Sequence, residues 1–363
     1  SRCFRTMESR CFVGEAPGFW DRDSFQWQLH PTPRCPEPLR RFVSVRATCL
    51  DQHRGKLIDC IRLHEGLASL VNESVLMVGD STSAALADHS CQAFGAPTRS
   101  FVAVPSRLPN RSIYSHRLRA LDNHYCRLLR GSSWAKEGDR EQATAKGNAN
   151  TAELGLPLGT FSHYGVDGPP YWSYAYPLAP WLGKTSVAQA RENMPGFRAA
   201  ALGGVRDPTL IVVGSGFWDI ASWWANEGRF HSSFMFNSSH VRRYVHGARL
   251  LIDELRRVFP RARLLWRSLH PGLKHAITPA AAHALNEALR AHAQEWGLQF
   301  LDVGSMVQQL PPKLGFLPSR SRSTPVYGTL DGRHLHEWLN LEVLNLILNA
   351  ADEGRGAALK RKS

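Results

Sequence analysis

Two short segments of this chain carry side chains that could do chemistry together. Gly79-Asp80-Ser81 breaks the apolar run Val75 to Val78, and an Ala- and Leu-rich stretch without Pro or Gly follows to Phe94. That order predicts strand, sharp turn and helix. A serine at such a turn stands at the carboxyl end of a buried strand. Its own N–H and the first helical N–H groups then face any oxyanion that develops there. Far downstream, Asp331 precedes His334 by three residues, just ahead of a predicted closing helix. One loop or first turn can thus present a carboxylate to an imidazole. Read together, Asp331 fixes the tautomer of His334, and His334 takes the proton from Ser81 and returns it to a departing group. Read singly, each is a helix cap beside an ordinary turn.

A third segment has the same placement. Leu210 to Val213 reads as a buried strand running into Gly214-Ser215-Gly216-Phe217-Trp218-Asp219, again a loop at a strand's carboxyl end. Val241, Tyr244, Val245, Ala248, Leu251, Ile252, Leu255 and Val258 then mark one face of a long helix stopped by Pro260. Arg263 to Trp266 is a further strand, ending at Ser268-Leu269-His270-Pro271. Thr278-Pro279 opens a helix through Leu285, Leu289 and Trp296 to Gly297, and Gln299 to Val303 gives a last strand before the closing helix, Glu337 to Ala351. This alternation predicts an α/β fold, a three-layer sandwich with a central, mostly parallel sheet and ligands at the carboxyl ends of its strands.

The middle of the chain is less regular. Phe101 to Val104 reads as a strand and Asp122 to Arg130 as a short helix, while Gly131 to Gly159 is polar and reads as an exposed insertion. An aromatic cluster follows, Tyr171-Trp172-Ser173-Tyr174-Ala175-Tyr176. Such rings pack in cores or stack on sugar faces.

Residues 1–70 are rich in Pro and Gly and hold five of the seven cysteines. They read as a loop-dominated, cysteine-rich lobe packed on a catalytic domain at 71–351, which carries the insertion around 131–160, and 352–363 reads as a basic tail. Pairing among Cys11, Cys35, Cys49 and Cys60 would supply order that short elements cannot. Sequons at Asn72, Asn110 and Asn237 agree with a secretory route. No run of about 18 apolar residues occurs, so no transmembrane segment is expected in this chain, and an anchor upstream of Ser1 is compatible with its start. The formal net charge is +13, with arginine scattered along the whole chain and no zinc-finger or basic-helix motif. A basic solvated surface with no nucleic-acid partner is the expectation. No Cys-x-x-Cys pair suggests a metal.

With these residues in view, the chain resembles SGNH-type (GDSL-like) hydrolases, and within them the PC-esterase branch of trichome-birefringence-like and sialate O-acetyltransferase proteins. The resemblance is carried by Cys11, Gly18-Phe19-Trp20 and Cys35-Pro36, by Val75 to Ser81, by Phe161 to Tyr164 with Tyr171 to Ser173, by Leu210 to Trp218, by Leu301 to Val303, and by Asp331 to His334. It implies an acyl-serine intermediate and transfer of an acetyl group to a glycan or polysaccharide hydroxyl in the Golgi lumen or elsewhere on the secretory route. The alternatives are hydrolysis of the same intermediate, as in a carbohydrate acetylesterase, and a catalytically weak glycan-binding protein. No bound cofactor is implied, and acetyl-CoA or another acetyl ester is the donor.

On this reading Ser81, Asp331 and His334 are catalytic. Ser81 N–H, with Gly214, Ser215 or Gly216, binds the oxyanion, because no asparagine stands in the third segment. Trp218, Trp172, Tyr174 and His270 line the substrate cleft. His336, with Arg333 instead of an acid three residues before it, is a substrate or surface histidine.

Overall fold

The computed structural model describes residues 14, 18–21, 26–32, 39–45, 61–70, 73–101, 123–128, 155–163, 165–167, 185–204, 206–224, 227, 236–271, 279–310 and 334–360. Its strands are β1 (Gly18–Trp20), β2 (Trp27–Leu29), β3 (Val43–Val45), β4 (Ile61–Leu63), β5 (Val75–Gly79), β6 (Arg99–Ser100), β7 (His124–Leu128), β8 (Leu156–Ser162), β9 (Leu210–Gly214), β10 (Arg263–Arg267) and β11 (Gln299–Leu301). The helices are α1 (Ser81–Ala93), α2 (Ser186–Leu202), α3 (Phe217–Trp223), α4 (Ser238–Val258), α5 (Pro279–Ala293), α6 (Val303–Gln308) and α7 (Glu337–Lys360).

Seven strands form one sheet in the order β11-β10-β9-β5-β8-β7-β6. The run from β11 to β8 is parallel, and β7 and β6 close one edge in antiparallel fashion. Both faces are covered, which is why β5 and β9 read as unbroken apolar runs. Val75 and Met77 face the layer of α1 and α7, whereas Leu76 and Val78 face α2, α4 and α5. Leu210 and Val212 of β9 alternate with Ile211 and Val213 in the same way. The three-layer α/β architecture is therefore the one expected.

The described parts of 1–70 share a core with the rest. Trp20, Trp27, Phe42 and Val43 belong to the α1–α7 side, and Trp20 Nε1 donates to the Met306 carbonyl at 2.8 Å. Buried asparagines of α7 dock the segment before β4: Asn345 Oδ1 accepts from Phe42 N–H (3.1 Å) and Val43 N–H (3.0 Å). Asn349 bonds both the N–H and the carbonyl of Arg40. These amides stand in for a missing strand partner. Cys11, Cys35, Cys49 and Cys60 lie outside the described residues. The disulfide that is described joins Cys91 of α1 to Cys126 of β7.

Several local expectations are corrected. The short helix expected at Asp122 to Arg130 is strand β7, because the tertiary pairing of Tyr125 with Gly159 overrides local propensity. The strand expected at Phe101 to Val104 lies earlier, at β6, and 102–104 fall outside the described residues. The insertion expected to reach residue 160 ends sooner, since β8 begins at Leu156 and is buried along its length. Its glycine is a packing requirement: a Cβ on Gly159 would meet the Phe197 ring at 2.3 Å. The last strand stops at Leu301, where Asp302 caps α6. The closing helix runs on to Lys360, into the expected basic tail.

Candidate active site

The chain leaves central β5 toward β8 on one side and later returns to β9 on the other. The connections after β5 and β9 diverge there, the kind of switch point at which open α/β sheets place their ligand sites. Gly79 and Gly214 pair across that end. A Cβ on Gly79 would fall 2.1 Å from Ser83 Oγ and 2.4 Å from the Gly214 carbonyl, so only glycine lets helix α1 start this close to the sheet.

Asp80 caps α1. Its Oδ1 accepts from Thr82 N–H at 2.9 Å and from Thr82 Oγ1 at 2.6 Å, and its carbonyl accepts from the N–H groups of Ser83 and Ala84. The Ser81 N–H stays outside this cap, at the positive end of the helix. Ser81 Oγ lies 2.8 Å from His334 Nε2, and both residues are partly exposed. With the His334 proton on Nδ1, the Ser81 hydroxyl donates to Nε2, the arrangement from which a base removes a proton.

His334 reaches Ser81 because α7 packs against α1. Asn340 of α7 locks that pairing: its Nδ2 donates to His89 Nδ1 of α1 at 2.8 Å and to the Leu335 carbonyl at 3.1 Å. Burial pushes His89 down to about 4, against the pull of Asp88 and with help from His336 and His334, so its ring is neutral and free to accept.

Behind the β9 loop lies a second polar group. Ser215 is 1% exposed, and its carbonyl accepts from the Tyr244 hydroxyl at 2.6 Å. Gly216 takes φ +133, a conformation suited to glycine, and leads into α3. Asp219 of α3 ties this loop to the one after β8, accepting from Val166 N–H (2.8 Å) and Asp167 N–H (2.7 Å) at Oδ1. His163, fully buried after β8, directs Nδ1 to the Gly165 carbonyl at 3.2 Å, and burial holds its pKa down.

Burial raises Asp219 to about 7; the two backbone N–H bonds oppose the rise, and the charges of Asp167 and Asp80 add to it. The native state therefore keeps a proton that the unfolded chain releases near its ordinary value of 3.8, and stability falls as pH rises from there to about 7. Asp219→Asn retains the Oδ1 acceptor and abolishes this loss. The variant should gain roughly 2–4 kcal/mol over the wild type at pH 8 and little at pH 4, read from denaturant midpoints. An equal effect at both pH values would refute the assignment.

The structure brings Ser81 and His334 together, with Gly214, Ser215 and Gly216 on the adjoining strand end. Trp218 is partly buried at the start of α3. His270 is fully buried, with its ring edge-on to Phe217 at 4.8 Å. Asp331, Trp172 and Tyr174 lie outside the described residues. Thr82, His89, Asp219 and Arg267 were not singled out by sequence. Only Arg267 leaves a trace there, as a charge ending the apolar run Leu264 to Trp266.

No family model matches the chain, and no curated protein matches it. Among solved structures, a catalytic variant of an acetylxylan esterase from Geobacillus stearothermophilus is similar at 13% identity and TM-score 0.37, over 77% of this chain and 94% of that one. The periplasmic domain of a lipopolysaccharide acetyltransferase from Salmonella ser. Paratyphi A is similar at 10% identity and TM-score 0.37, over 78% of this chain and 85% of that one.

Proposed function

We propose that this protein is a serine acyl-transfer enzyme that moves an acetyl group to or from a carbohydrate hydroxyl. The observation that carries the reading is the 2.8 Å contact between Ser81 Oγ and His334 Nε2 at the carboxyl end of the central strand. Ser81 Oγ attacks the acyl carbon, His334 takes its proton, and Asp331 orients the imidazole. The oxyanion is met by the Ser81 N–H and a backbone donor from Gly214, Ser215 or Gly216. The departing alcohol or thiol leaves with the proton from His334, and a second hydroxyl then collects the acyl group from Ser81. An acetyl ester such as acetyl-CoA is the donor, with no bound metal or cofactor. The carbohydrate acceptor and the Golgi or other secretory location follow from the resemblance to polysaccharide O-acetyltransferases, and Trp218 with Trp172 and Tyr174 would flank the sugar.

Hydrolysis is the second reading, and the partial exposure of Ser81 and His334 favours it, because water can reach an acyl-serine there. The two separate in one assay: the full chain is incubated with an acetyl ester, with and without a panel of oligosaccharides, and Ser81 peptides and sugars are weighed by mass spectrometry. Acetyl-Ser81 with acetylated sugar supports transfer, and acetyl-Ser81 with free acetate alone supports hydrolysis. A wild-type protein that never carries acetyl on Ser81 and never turns over an acyl ester overturns both.

A further inference from the structure

The reading of Ser81 as an acylated nucleophile, on which this inference rests, leaves one buried cation unexplained. Arg267 ends β10. Leu265 faces the α1–α7 layer and Trp266 the opposite one, so Arg267 turns back toward α1. The β9–β10 register pairs Trp266 with Val213, which sets Arg267 beside Gly214. A Cβ on Gly214 would lie 2.8 Å from both Nε and Nη2 of Arg267, so the guanidinium rests against that glycine's backbone. Nη2 donates to Thr82 Oγ1 at 2.8 Å and to Ser83 Oγ at 3.1 Å, and Thr82 Oγ1 in turn donates to Asp80 Oδ1 at 2.6 Å.

Two terms oppose a cation at this place. Arg267 is 4% exposed, so its charge is largely desolvated, and that burial pushes its pKa down from the ordinary guanidinium value. It also sits at the first turn of α1, the positive end of a 13-residue helix, where the peptide dipoles repel it. An arginine placed only to neutralise Asp80 would grip that carboxylate through two parallel bonds. Instead the link runs through the Thr82 hydroxyl, and Asp80 Oδ2 has no hydrogen-bond partner among the described residues. The charge of Asp80 favours the cation without a direct bond to it, and an anion forming beside Gly214 and the Ser81 N–H would gain from it as well.

We propose that Arg267 is a positioning residue for the oxyanion step: through Thr82 and Ser83 it fixes the turn carrying Ser81, and its charge favours the negative oxygen that develops next to Gly214. No bond to Arg267 forms or breaks. As Ser81 Oγ bonds to the acyl carbon, the carbonyl π pair moves onto oxygen and the Ser81 proton passes to His334. Collapse returns that pair and expels the leaving group with the proton.

The test compares full-length wild type, Arg267→Gln and Arg267→Lys with p-nitrophenyl acetate as substrate and phenylboronic acid as a reversible tetrahedral adduct on Ser81. Arg267→Gln should lower kcat about 10- to 100-fold and weaken the boronate by a similar factor, with KM within about twofold. Arg267→Lys should restore most of the loss. An unchanged kcat in Arg267→Gln, or a loss that Lys does not relieve in a protein of native melting temperature, overturns the proposal. If Arg267→Gln fails to fold, Thr82→Val carries the test, because it cuts the link and keeps the charge: kcat should fall several-fold at constant KM, and an unchanged kcat overturns the proposal. Wild-type protein inert to both probes would instead overturn the acyl-serine reading, so the two failures are distinguishable.

Discussion

Replacing His334 with alanine should lower the rate of acetyl-ester turnover by about four to six orders of magnitude, and Ser81→Ala should match it. The size follows from the contact at 2.8 Å: without Nε2, the Ser81 hydroxyl must lose its proton to water while it attacks. The double variant should be no worse than either single one, because the two groups act as a unit. Folding should be nearly unaffected, since both side chains are partly exposed and the α1–α7 pairing is held by Asn340 and His89 instead. Added imidazole should return part of the activity to His334→Ala and none to Ser81→Ala. The check is burst-phase release of nitrophenol from an acetyl ester, with melting temperature measured alongside. Additive losses in the double variant, or full activity in His334→Ala, would remove His334 from the reaction.

What could be read from the sequence divides along physical lines. Strands β5 and β9 were legible because a parallel strand buried on both faces must be apolar throughout, and α4 because one face repeats at the helical period. Strand β7 was not, because His124 and Arg127 flank its one strong strand former, Tyr125, and the segment takes its pairing from β8 and β6. Helix α2 was missed because Pro195-Gly196 lies in its interior. A Cβ on Gly196 would stand 2.8 Å from the Phe101 carbonyl, so that glycine marks close packing and not a turn. The same divide runs through the site. Ser81 announced itself by the turn around it, and His334 by its spacing from an acid. The surroundings of Arg267 depend on the register of β10 against β9 and on the pleat of the sheet, which no local pattern encodes. The buried state of His270 is a tertiary fact of the same kind, set by packing on Phe217.

Gly79→Ala should cost about 3–5 kcal/mol of stability. Of the three atoms it would strike, Ser83 Cβ at 2.9 Å is set by the α1 backbone, and Ser83 Oγ is a side-chain end that a rotamer change could move aside. The Gly214 carbonyl is not: it belongs to β9, whose pairing with β5 is fixed by the adjoining Val78–Val213 and Met77–Val212 positions. Relief therefore requires either parting the two strands at their carboxyl ends or lifting the first turn of α1. Both movements carry Ser81 away from Gly214 to Gly216, so the fraction that still folds should acylate slowly even where His334 is intact. Thermal melts of Gly79→Ala and of the Gly79→Ala/Ser83→Ala pair decide the point, because removing Ser83 Oγ leaves the backbone clash in place. Recovery of wild-type stability in the pair would show that Ser83 Oγ alone was responsible. Gly204→Asn serves as the contrast: its φ of +80 is one that asparagine tolerates, and nothing lies within 4 Å of an added Cβ, so its melting temperature should barely move. The glycine at the head of the nucleophile turn is thus held by contact with the neighbouring strand, and the same contact sets the distance between Ser81 and the backbone that would receive its oxyanion.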